Sequence, residues 1–484
     1  MIAWMQVLQR RHAPDAEHLG AIAGVSADRT SAVECQTSTG SHADSGPAAG
    51  VLERVLIVVG AVTAVVALWS ADLGPSRVAL AKDYLGPTLW PLFGKPALFL
   101  AFLAIVSLTW RVTLWLRYKP LPPLAADDLR LPTVTVVIPA YNEGPTVAAA
   151  IRALLNSDYP IHKLHIVCVD DGSGDDTARW AEQAALSAPT RVTLLRHEQN
   201  RGKRFALFTG FGRVDSDVVV TVDSDTVVAR DALRCLVTPL ALDAEVGAVA
   251  GRIDVLNRER NLLTRMLAVR YRIGFDFSRA YQSQLGSVFV TPGALSAYRV
   301  ATVRPHWEAW RDVTFLGARC SNGDDHHLAN RVLWSGKRTV YQGNAVARTT
   351  VPTTYKRLSL MYLRWARSNL RESTLYVANI GDVLQSWRRL PGVIDGVFNY
   401  LQFPLRLYLL IAGWLLLFLH PDLLLRSVSM ALCVALVHMA IFLKSERTFD
   451  AVYTLAYAVF ALLTLQWIYP LALLTIRQSR WLTR

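Results

Sequence analysis

The chain has 484 residues, of which 52% are hydrophobic and 18% are charged, and its formal net charge is +13. This composition is too apolar for an ordinary soluble enzyme and too charged for membrane helices alone, so we expect a soluble domain joined to membrane spans. No helix-turn-helix, zinc-finger or RNA-binding motif accompanies the basic charge, so we expect no nucleic-acid partner and assign the excess Lys and Arg to the cytoplasmic side of a membrane.

The first part of the chain predicts a tail followed by two membrane spans. Residues 1–50 are rich in Ala, Ser, Gly, Asp and His and show little periodicity, which predicts a disordered cytoplasmic tail. Two apolar runs within residues 51–118, near 51–70 and 89–116, each have the length of a transmembrane helix. Basic residues after the second run place the tail and the following domain in the cytoplasm.

Residues 131–350 predict an α/β domain with a mostly parallel sheet. Short β-branched runs alternate there with helical stretches, and this alternation is typical of βαβ units. The helices are expected near 145–156, 175–187, 202–213 and 230–239. The strands are expected at VTVVIPA (134–140), HIVCVDD (165–171), VTLLRH (192–197) and DVVVTVDSD (217–225).

Residues 353–395 predict amphipathic helices at a membrane interface, the first of them at 353–376. Arg357, Arg364, Arg367 and Arg371 alternate there with Leu, Met, Tyr and Trp, which favours a helix lying between water and lipid.

Residues 396–476 predict further transmembrane helices, and a basic tail follows at 477–484. Three full spans would place that tail outside, against the positive-inside rule, and Pro470 interrupts the last apolar segment. The sequence therefore leaves the number of spans open. It also leaves Arg406 open, either as a side chain that snorkels to the interface or as a contact to a sugar polymer in a channel.

Polar residues follow each of the first four predicted strands, at the edge of the sheet where α/β proteins bind ligands. Each group taken alone is an ordinary helix cap, but four groups at one edge favour a binding site. They are Tyr141-Asn142-Glu143, Asp170-Asp171-Gly172-Ser173, Asn200 with Gly202-Lys203-Arg204, and Asp223-Ser224-Asp225.

The site predicted at this edge is a diphosphate site that uses a divalent cation. The sequence has no GxGxxG and no GxxxxGK[ST], so the usual backbone cradles for phosphate are missing. Asp223 and Asp225, two residues apart at a strand end, can both approach Mg²⁺ or Mn²⁺, which would neutralise a departing diphosphate. Lys203 and Arg204 either add to that neutralisation or are surface charge.

The order and spacing of these motifs resemble the family 2 inverting glycosyltransferases, which have the GT-A fold. The downstream motifs resemble their membrane-embedded processive branch, the hyaluronan synthases and nodulation-type chitin-oligosaccharide synthases. The resemblance covers roughly residues 130–484. The motifs that carry it are VVIPAYNE (136–143), VDDGS (169–173), NRGKR (200–204), DSD (223–225), GALSAYR (293–299), NGDDHHL (322–328) and LRWARSNLRE (363–372).

The resemblance implies roles for the residues that bind the donor. Asp171 and the Tyr141-Asn142-Glu143 turn would hold the uridine of a UDP-sugar. Asp223 and Asp225 would serve the diphosphate and its metal, with Asp225 the closer ligand. Lys203 would also contact the UDP-sugar.

The resemblance also implies a catalytic residue and an acceptor site. Asp325 would be the general base that takes a proton from the acceptor hydroxyl. Arg364 and Trp365 would lie near the diphosphate and the acceptor sugar at the mouth of a membrane channel. Trp365 has a second interpretation as a membrane anchor.

The chain departs from the family pattern at three positions. Met361 stands where the family has Gln, Ala294 follows Gly293 where the family has Pro, and His326 follows the acidic pair where Arg is common. The His326-His327 pair is also a candidate metal site. Adjacent residues in a helix face apart, however, which argues against two His ligands to one ion.

The function expected from the sequence is that of a multi-pass plasma (inner) membrane glycosyltransferase with a cytoplasmic catalytic domain. It would polymerise sugars from UDP-GlcNAc, with or without UDP-GlcA, into a hyaluronan- or chitin-like polysaccharide and pass the growing polymer through the bilayer. Two alternatives stay open. One is a non-processive transferase that adds a sugar to a membrane lipid, and the other is a non-catalytic sensor of nucleotide-sugars.

Overall fold

The computed structural model of the protein describes residues 82–83, 85–88, 90–385, 387–419, 423–446 and 448–478. The predicted tail at 1–50, the first predicted span and most of the basic tail lie outside the described residues. The side chain of Arg406 also lies outside them, so both interpretations of that residue stay predictions.

The strands are short and most of them are buried. In chain order they are β1 Val134–Ala140, β2 Leu164–Asp170, β3 Val192–Arg196, β4 Val218–Thr221, β5 Thr226–Val228, β6 Val246–Val255, β7 Ser296–Arg299, β8 Thr314–Phe315, β9 Ala318–Arg319 and β10 Arg338–Thr349.

The helices fall between the strands in the first part of the chain and follow one another after β10. Those up to β10 are α1 Lys95–Arg117, α2 Thr146–Leu155, α3 Thr177–Ala185, α4 Lys203–Phe211, α5 Ala232–Leu242, α6 Leu262–Ile273, α7 Ala280–Gln284, α8 Val300–Val303, α9 Trp307–Arg311 and α10 Asp324–Trp334. Those after it are α11 Tyr355–Ala378, α12 Ile380–Val383, α13 Leu390–Leu419, α14 Leu423–Glu446, α15 Tyr453–Thr464 and α16 Ile468–Leu474.

The predicted α/β domain is confirmed, and its sheet is mostly parallel. In the described part of the chain, an eight-stranded sheet has the order β3-β2-β1-β4-β7-β6-β10-β5. The pairs β3-β2, β2-β1, β1-β4 and β6-β10 are parallel, whereas β7 and β5 run antiparallel to their neighbours. Every residue of β1 is buried, as expected for a strand covered by helices on both faces.

The stretch predicted as one strand ending at Asp225 consists of two separate strands. β4 ends at Thr221 in the middle of the sheet, between β1 and β7. β5 begins at Thr226 and pairs antiparallel with β10 at the far edge. β4, a strand of four buried residues, fills the central position of the sheet. Asp223 and Asp225 therefore lie after it, where the chain crosses from the centre of the sheet to its edge.

Helix α11 begins and ends within two residues of the predicted amphipathic helix at 353–376. Its side chains pack in two directions. Met361 lies in a buried cluster with residues of β6 and α6, whereas Leu363 and Leu370 pack on Ile468 and Ala472 of α16. The helix thus connects the α/β domain to the C-terminal helices.

Among the described residues, no single helix is both long and apolar enough to cross a membrane. The helical segments Phe449–Thr464 and Ile468–Leu474 meet that criterion together, with a bend of 49° between them. The bend precedes Pro470, where the sequence predicts an interruption.

Candidate active site

The buried carboxylate of Asp171, directly after β2, organises the neighbouring loop. Asp171 accepts hydrogen bonds from the backbone N–H of Arg201 at 3.0 Å and of Gly202 at 2.7 Å. His197 Nδ1 lies 2.7 Å from Asp171 Oδ1. Three close partners in residues 197–202 mean that Asp171 holds this loop against the sheet edge. Its predicted role with uridine stays a prediction.

Gly172 allows this close approach. Its φ is +71°, and a Cβ atom there would lie 2.6 Å from the carbonyl carbon of Gln199 and 2.8 Å from the nitrogen of Asn200. The left-handed conformation and the contact both favour glycine. The motif VDDGS therefore has a local structural reason as well as the predicted binding role.

The turn after β1 is tied to the neighbouring loops. Asn142 has a φ of 52°, and its side-chain Oδ1 accepts from the N–H of Gly174 at 2.9 Å. Glu143 Oε1 accepts a hydrogen bond from the Ser224 hydroxyl at 2.9 Å, which joins the first strand-end loop to the Asp223-Ser224-Asp225 crossing. The structure thus brings the half-buried Tyr141 and its two successors to the same edge as the aspartates.

Lys203, the first residue of α4, lies at the centre of an acidic cluster. Its Nζ is 2.5 Å from Asp223 Oδ1 and 3.8 Å from Asp324 Oδ2. Burial alone would lower the pKa of Lys203, but the charges of Asp223 and Asp324 outweigh it and raise the pKa above its usual value. The ammonium therefore stays charged, and Lys203 is part of the cluster rather than a surface residue.

Asp325 lies at the N-terminus of α10, beside this cluster. Its Oδ2 accepts from the backbone N–H of Gly293 at 3.3 Å, and its Oδ1 accepts from that of His326 at 2.8 Å. Burial, and then the charge of Asp324, raise the pKa of Asp325 to about 6, while Lys203 acts in the opposite direction. A carboxylate with a raised pKa at a sheet edge fits a general base.

Asp225 lies among hydroxyl groups on the other side of the crossing. Its Oδ1 is 3.2 Å from Thr349 Oγ1, and its Oδ2 is 3.4 Å from Thr350 Oγ1. Such oxygen donors suit Mg²⁺ or Mn²⁺.

A metal at this place would need ligands beyond the protein. In the part of the chain that the structure describes, no group of three or more His, Cys, Asp and Glu residues is arranged to hold an ion. Mg²⁺ is commonly held by one or two carboxylates together with substrate phosphates, so Asp223 and Asp225 fit an ion that arrives with a diphosphate. Lys203 already binds Asp223, and the role of Asp225 as the closer metal ligand stays a prediction.

Arg364 and Trp365 on α11 reach the same region. Burial lowers the pKa of Arg364, and the charges of Asp324, Asp325 and Asp223 oppose that shift, so the guanidinium lies near all three carboxylates. Trp365 is 37% exposed, and its ring centroid is 6.1 Å from that of Tyr271. The structure therefore brings Arg364 to the predicted catalytic base, whereas Trp365 packs beside Tyr271.

Sequence reasoning missed two further groups at the site. Gly293 donates its N–H to Asp325, and a Cβ atom there would lie 2.9 Å from Lys203 Nζ. Arg279 stacks on Phe275 at 4.0 Å, and its charge acts on Asp325. The motif GALSAYR pointed to the first residue, but no local pattern marks the second, which reaches the site only through tertiary packing.

The two histidines after Asp325 have different surroundings. His327 Nδ1 is 2.8 Å from Glu372 Oε2, and its Nε2 accepts from Arg331 Nε at 3.2 Å. His327 is therefore part of a buried hydrogen-bond network between α10 and α11. His326 also lies near Glu372, and the argument against a metal site at the two histidines stays a prediction.

A large cavity lies among the helices that flank the sheet. Its volume is about 1210 Å³, and it is lined by residues of α1, α6, α7, α13, α14 and α15. The lining mixes apolar side chains with polar ones such as Arg111, Gln282, Asn399 and Gln402.

Comparison with known proteins agrees with this geometry. A family described as "Glycosyltransferase like family 2" matches residues 132–368. An N-acetylglucosaminyltransferase of Azorhizobium caulinodans is 35% identical over 254 residues, which are 52% of this chain and 64% of that protein. A hyaluronan synthase of Streptococcus pyogenes is 38% identical over 252 residues, 51% of this chain and 59% of that protein. The matches thus span about three fifths of each relative's length.

Two more distant comparisons extend further along the chain. An N-acetylglucosaminyltransferase of Neorhizobium galegae is 29% identical over 378 residues, 74% of this chain and 81% of that protein. A solved mannosyltransferase of Pyrobaculum calidifontis, in complex with GDP-Man and Mn²⁺, covers 84% of this chain and 98% of its own length, with a TM-score of 0.50 and 22% identity. The second comparison supports the fold.

Proposed function

We propose that the protein, whose residues 132–368 match the family described as "Glycosyltransferase like family 2", is a processive inverting β-glycosyltransferase. It takes UDP-GlcNAc, with or without UDP-GlcA, and extends a hyaluronan- or chitin-like polymer that passes through the bilayer. The names of the relatives, N-acetylglucosaminyltransferase and hyaluronan synthase, support this choice of sugars.

The observation that carries the proposal is the cluster formed by Lys203, Asp223 and Asp325. In this cluster the Lys203 ammonium, which would bind the diphosphate, lies beside Asp325. The pKa of Asp325, about 6, leaves its carboxylate ionised at neutral pH. Asp325 takes the proton of the acceptor hydroxyl while that oxygen attacks the anomeric carbon, and the UDP leaves from the opposite face. A sensor that only binds nucleotide-sugars would not need such a base.

Residues around the cluster would hold the donor and its metal. Asp225, with Asp223, would hold Mg²⁺ or Mn²⁺, which neutralises charge on the departing diphosphate. Lys203 adds a fixed positive charge that is already desolvated and in place. The turn at Tyr141-Asn142-Glu143 and the loop held by Asp171 form the nucleotide side of the site.

Processive synthesis and export are supported by the acceptor side. Arg364 and Trp365 belong to α11, which packs on the C-terminal helix α16 through Leu363 and Leu370. The cavity of about 1210 Å³ among the flanking helices has the mixed polar and apolar lining that a sugar chain favours, because sugars present both hydroxyl groups and apolar ring faces.

The test is a synthesis assay with the purified full-length protein. Labelled UDP-GlcNAc is supplied alone and together with UDP-GlcA, in the presence of Mg²⁺ or Mn²⁺, and both UDP release and product length are measured. Polymer from UDP-GlcNAc alone indicates a chitin-like product, and a requirement for both donors indicates a hyaluronan-like product.

Other outcomes contradict the proposal in separate ways. UDP release with transfer of a single sugar to added membrane lipid would replace the processive function with the non-processive one. Tight binding of UDP-sugars without any UDP release would favour the sensor.

A further inference from the structure

His326 is a buried histidine whose ring has no hydrogen bond. His326 is only 5% exposed. Neither Nδ1 nor Nε2 of its ring has a partner with hydrogen-bond geometry among the described residues. The Asn369 side chain lies beside the ring, but the geometry of a bond is not met. Buried polar groups in proteins are nearly always paired, so an unpaired imidazole indicates a missing partner.

The ring lies next to the predicted catalytic base, on the side of α11. His326 directly follows Asp325, and the charge of Arg279 acts on both residues. Asn369 lies one helical turn after Trp365, which is the residue placed near the acceptor sugar. The imidazole therefore faces α11, beside Glu372 and Asn369, and α11 is the helix that carries the predicted acceptor-side residues Arg364 and Trp365.

The chemistry of the ring selects a neutral polar partner. Burial lowers the pKa of His326 to about 4, so the imidazole is neutral at physiological pH. A neutral imidazole offers one donor and one acceptor, which matches a sugar hydroxyl or an acetamido group. His327 differs, because Glu372 and Arg331 already occupy its two nitrogens.

We propose that His326 is a specificity-determining residue that forms a hydrogen bond with a hydroxyl or amide group of the acceptor sugar bound beside Asp325. This proposal rests on the proposed transferase function. A site built to pair with a substrate group loses affinity when that pairing is removed, since the buried partner is left unsatisfied.

The test compares three variants of the full-length protein in detergent: His326→Phe, His326→Gln and the control His306→Phe. Phe removes both ring nitrogens, whereas Gln keeps one donor and one acceptor. His306 is a partly buried residue that contacts Ser335 at 3.0 Å, away from the proposed machinery. The measurements are transfer from UDP-GlcNAc to chitotriose, the KM for chitotriose, UDP binding and the melting temperature.

We expect His326→Phe to lower kcat/KM for chitotriose by roughly 10- to 100-fold, with UDP binding unchanged. Its melting temperature should stay the same or rise, because an apolar ring replaces an unpaired polar one. His326→Gln should stay within a few-fold of the wild-type protein, and His306→Phe should transfer at the wild-type rate.

Three outcomes overturn the proposal. Wild-type transfer by His326→Phe would mean that the unpaired ring has no ligand. Loss of transfer together with a lower melting temperature in both His326 variants would indicate a purely structural role. Failure of the wild-type protein to release UDP from either donor would overturn the proposed function and this inference together, and the wild-type arm separates that result from the other two.

Discussion

At the scale of single residues, the candidate site depends on carboxylates that have different surroundings. Asp223 is bound by Lys203, Asp225 lies among threonine hydroxyls, and Asp325 is partly buried with two backbone donors. The same functional group thereby has three different sets of partners, which suits it to three tasks.

The rate of sugar transfer should fall as the pH is lowered through about 6. A general base works only when it is ionised, and burial raises the pKa of Asp325 to about 6. Below that value the ionised fraction, and with it kcat, should drop about tenfold for each pH unit. Measurement of kcat from pH 4.5 to 8 checks this.

Asp325→Asn serves as the companion variant. It should lose transfer by about 10²- to 10⁴-fold and no longer show this limb of the pH profile. Full polymer synthesis by Asp325→Asn would rule out Asp325 as the base.

Removal of divalent cations should abolish transfer, and Mg²⁺ or Mn²⁺ should restore it. Asp225→Asn should require about tenfold more metal for half-maximal rate, because one carboxylate ligand is replaced by a neutral amide. Titration of the metal in the activity assay is the measurement. Asp128→Asn, which alters a half-buried carboxylate paired with Arg130, is the control and should respond like the wild-type protein.

At the scale of elements, the site is assembled by the loops that follow the strands. Glu143 bonds Ser224 across the β1 and β4 loops, and Asp171 holds the loop at 197–202. Helices α4 and α10 then deliver Lys203 and Asp325 from their first turns. Rigid strands fix where each loop starts, so these contacts form with little freedom left to the loops.

Gly172→Ala should destabilise the protein by about 1–3 kcal/mol, because a left-handed backbone and a close contact to Gln199 exclude a Cβ atom. Thermal unfolding followed by intrinsic fluorescence measures this. Gly174→Ala is a matched control two residues away, since nothing lies within 4 Å of its Cβ position. Equal melting temperatures for the two variants would contradict the packing argument.

Gly293→Ala should leave the fold intact but impair use of the donor. The added Cβ atom would lie 2.9 Å from Lys203 Nζ, and the flexible lysine would move away from Asp223. We expect the KM for the UDP-sugar to rise about tenfold, since a charge-assisted hydrogen bond contributes roughly 1.5–3 kcal/mol. Gly381→Ala, at an exposed position with open space, should show wild-type kinetics.

At the scale of the whole molecule, the α/β domain and the C-terminal helices form one connected structure. Helix α11 packs on β6 and α6 through Met361 and on α16 through Leu363. Large apolar side chains remain exposed on the flanking helices, among them Phe99 and Phe102 of α1 and Trp414 and Phe418 of α13. Exposed apolar surface of this extent indicates contact with a lipid or a protein.

The full-length protein should fractionate with membranes and resist extraction by alkaline carbonate, because those exposed side chains would be buried in lipid. Detergent should release it. Immunoblotting of the fractions, with a cytosolic marker as control, is the measurement. Recovery in the carbonate supernatant would contradict the proposed membrane location.

The sequence by itself determined the α/β class, the order of the strands along the chain and the motifs of the family. Hydrophobic periodicity and residues such as Asp171 and Asp325 are local signals, and local signals suffice for these features. The starts and ends of α2, α4 and α11 were predicted to within about two residues for the same reason.

Only the tertiary structure decided which groups meet. Asp225 lies at a crossing between two strands. Glu143 pairs with Ser224 across 81 residues, and His327 pairs with Glu372 across 45 residues. His326 has no hydrogen-bond partner among the described residues. Such contacts depend on how strands and helices are placed in space, and no pattern of a few neighbouring residues encodes that placement. The residue types of the candidate site are thus readable from the sequence, whereas their partners are set by packing.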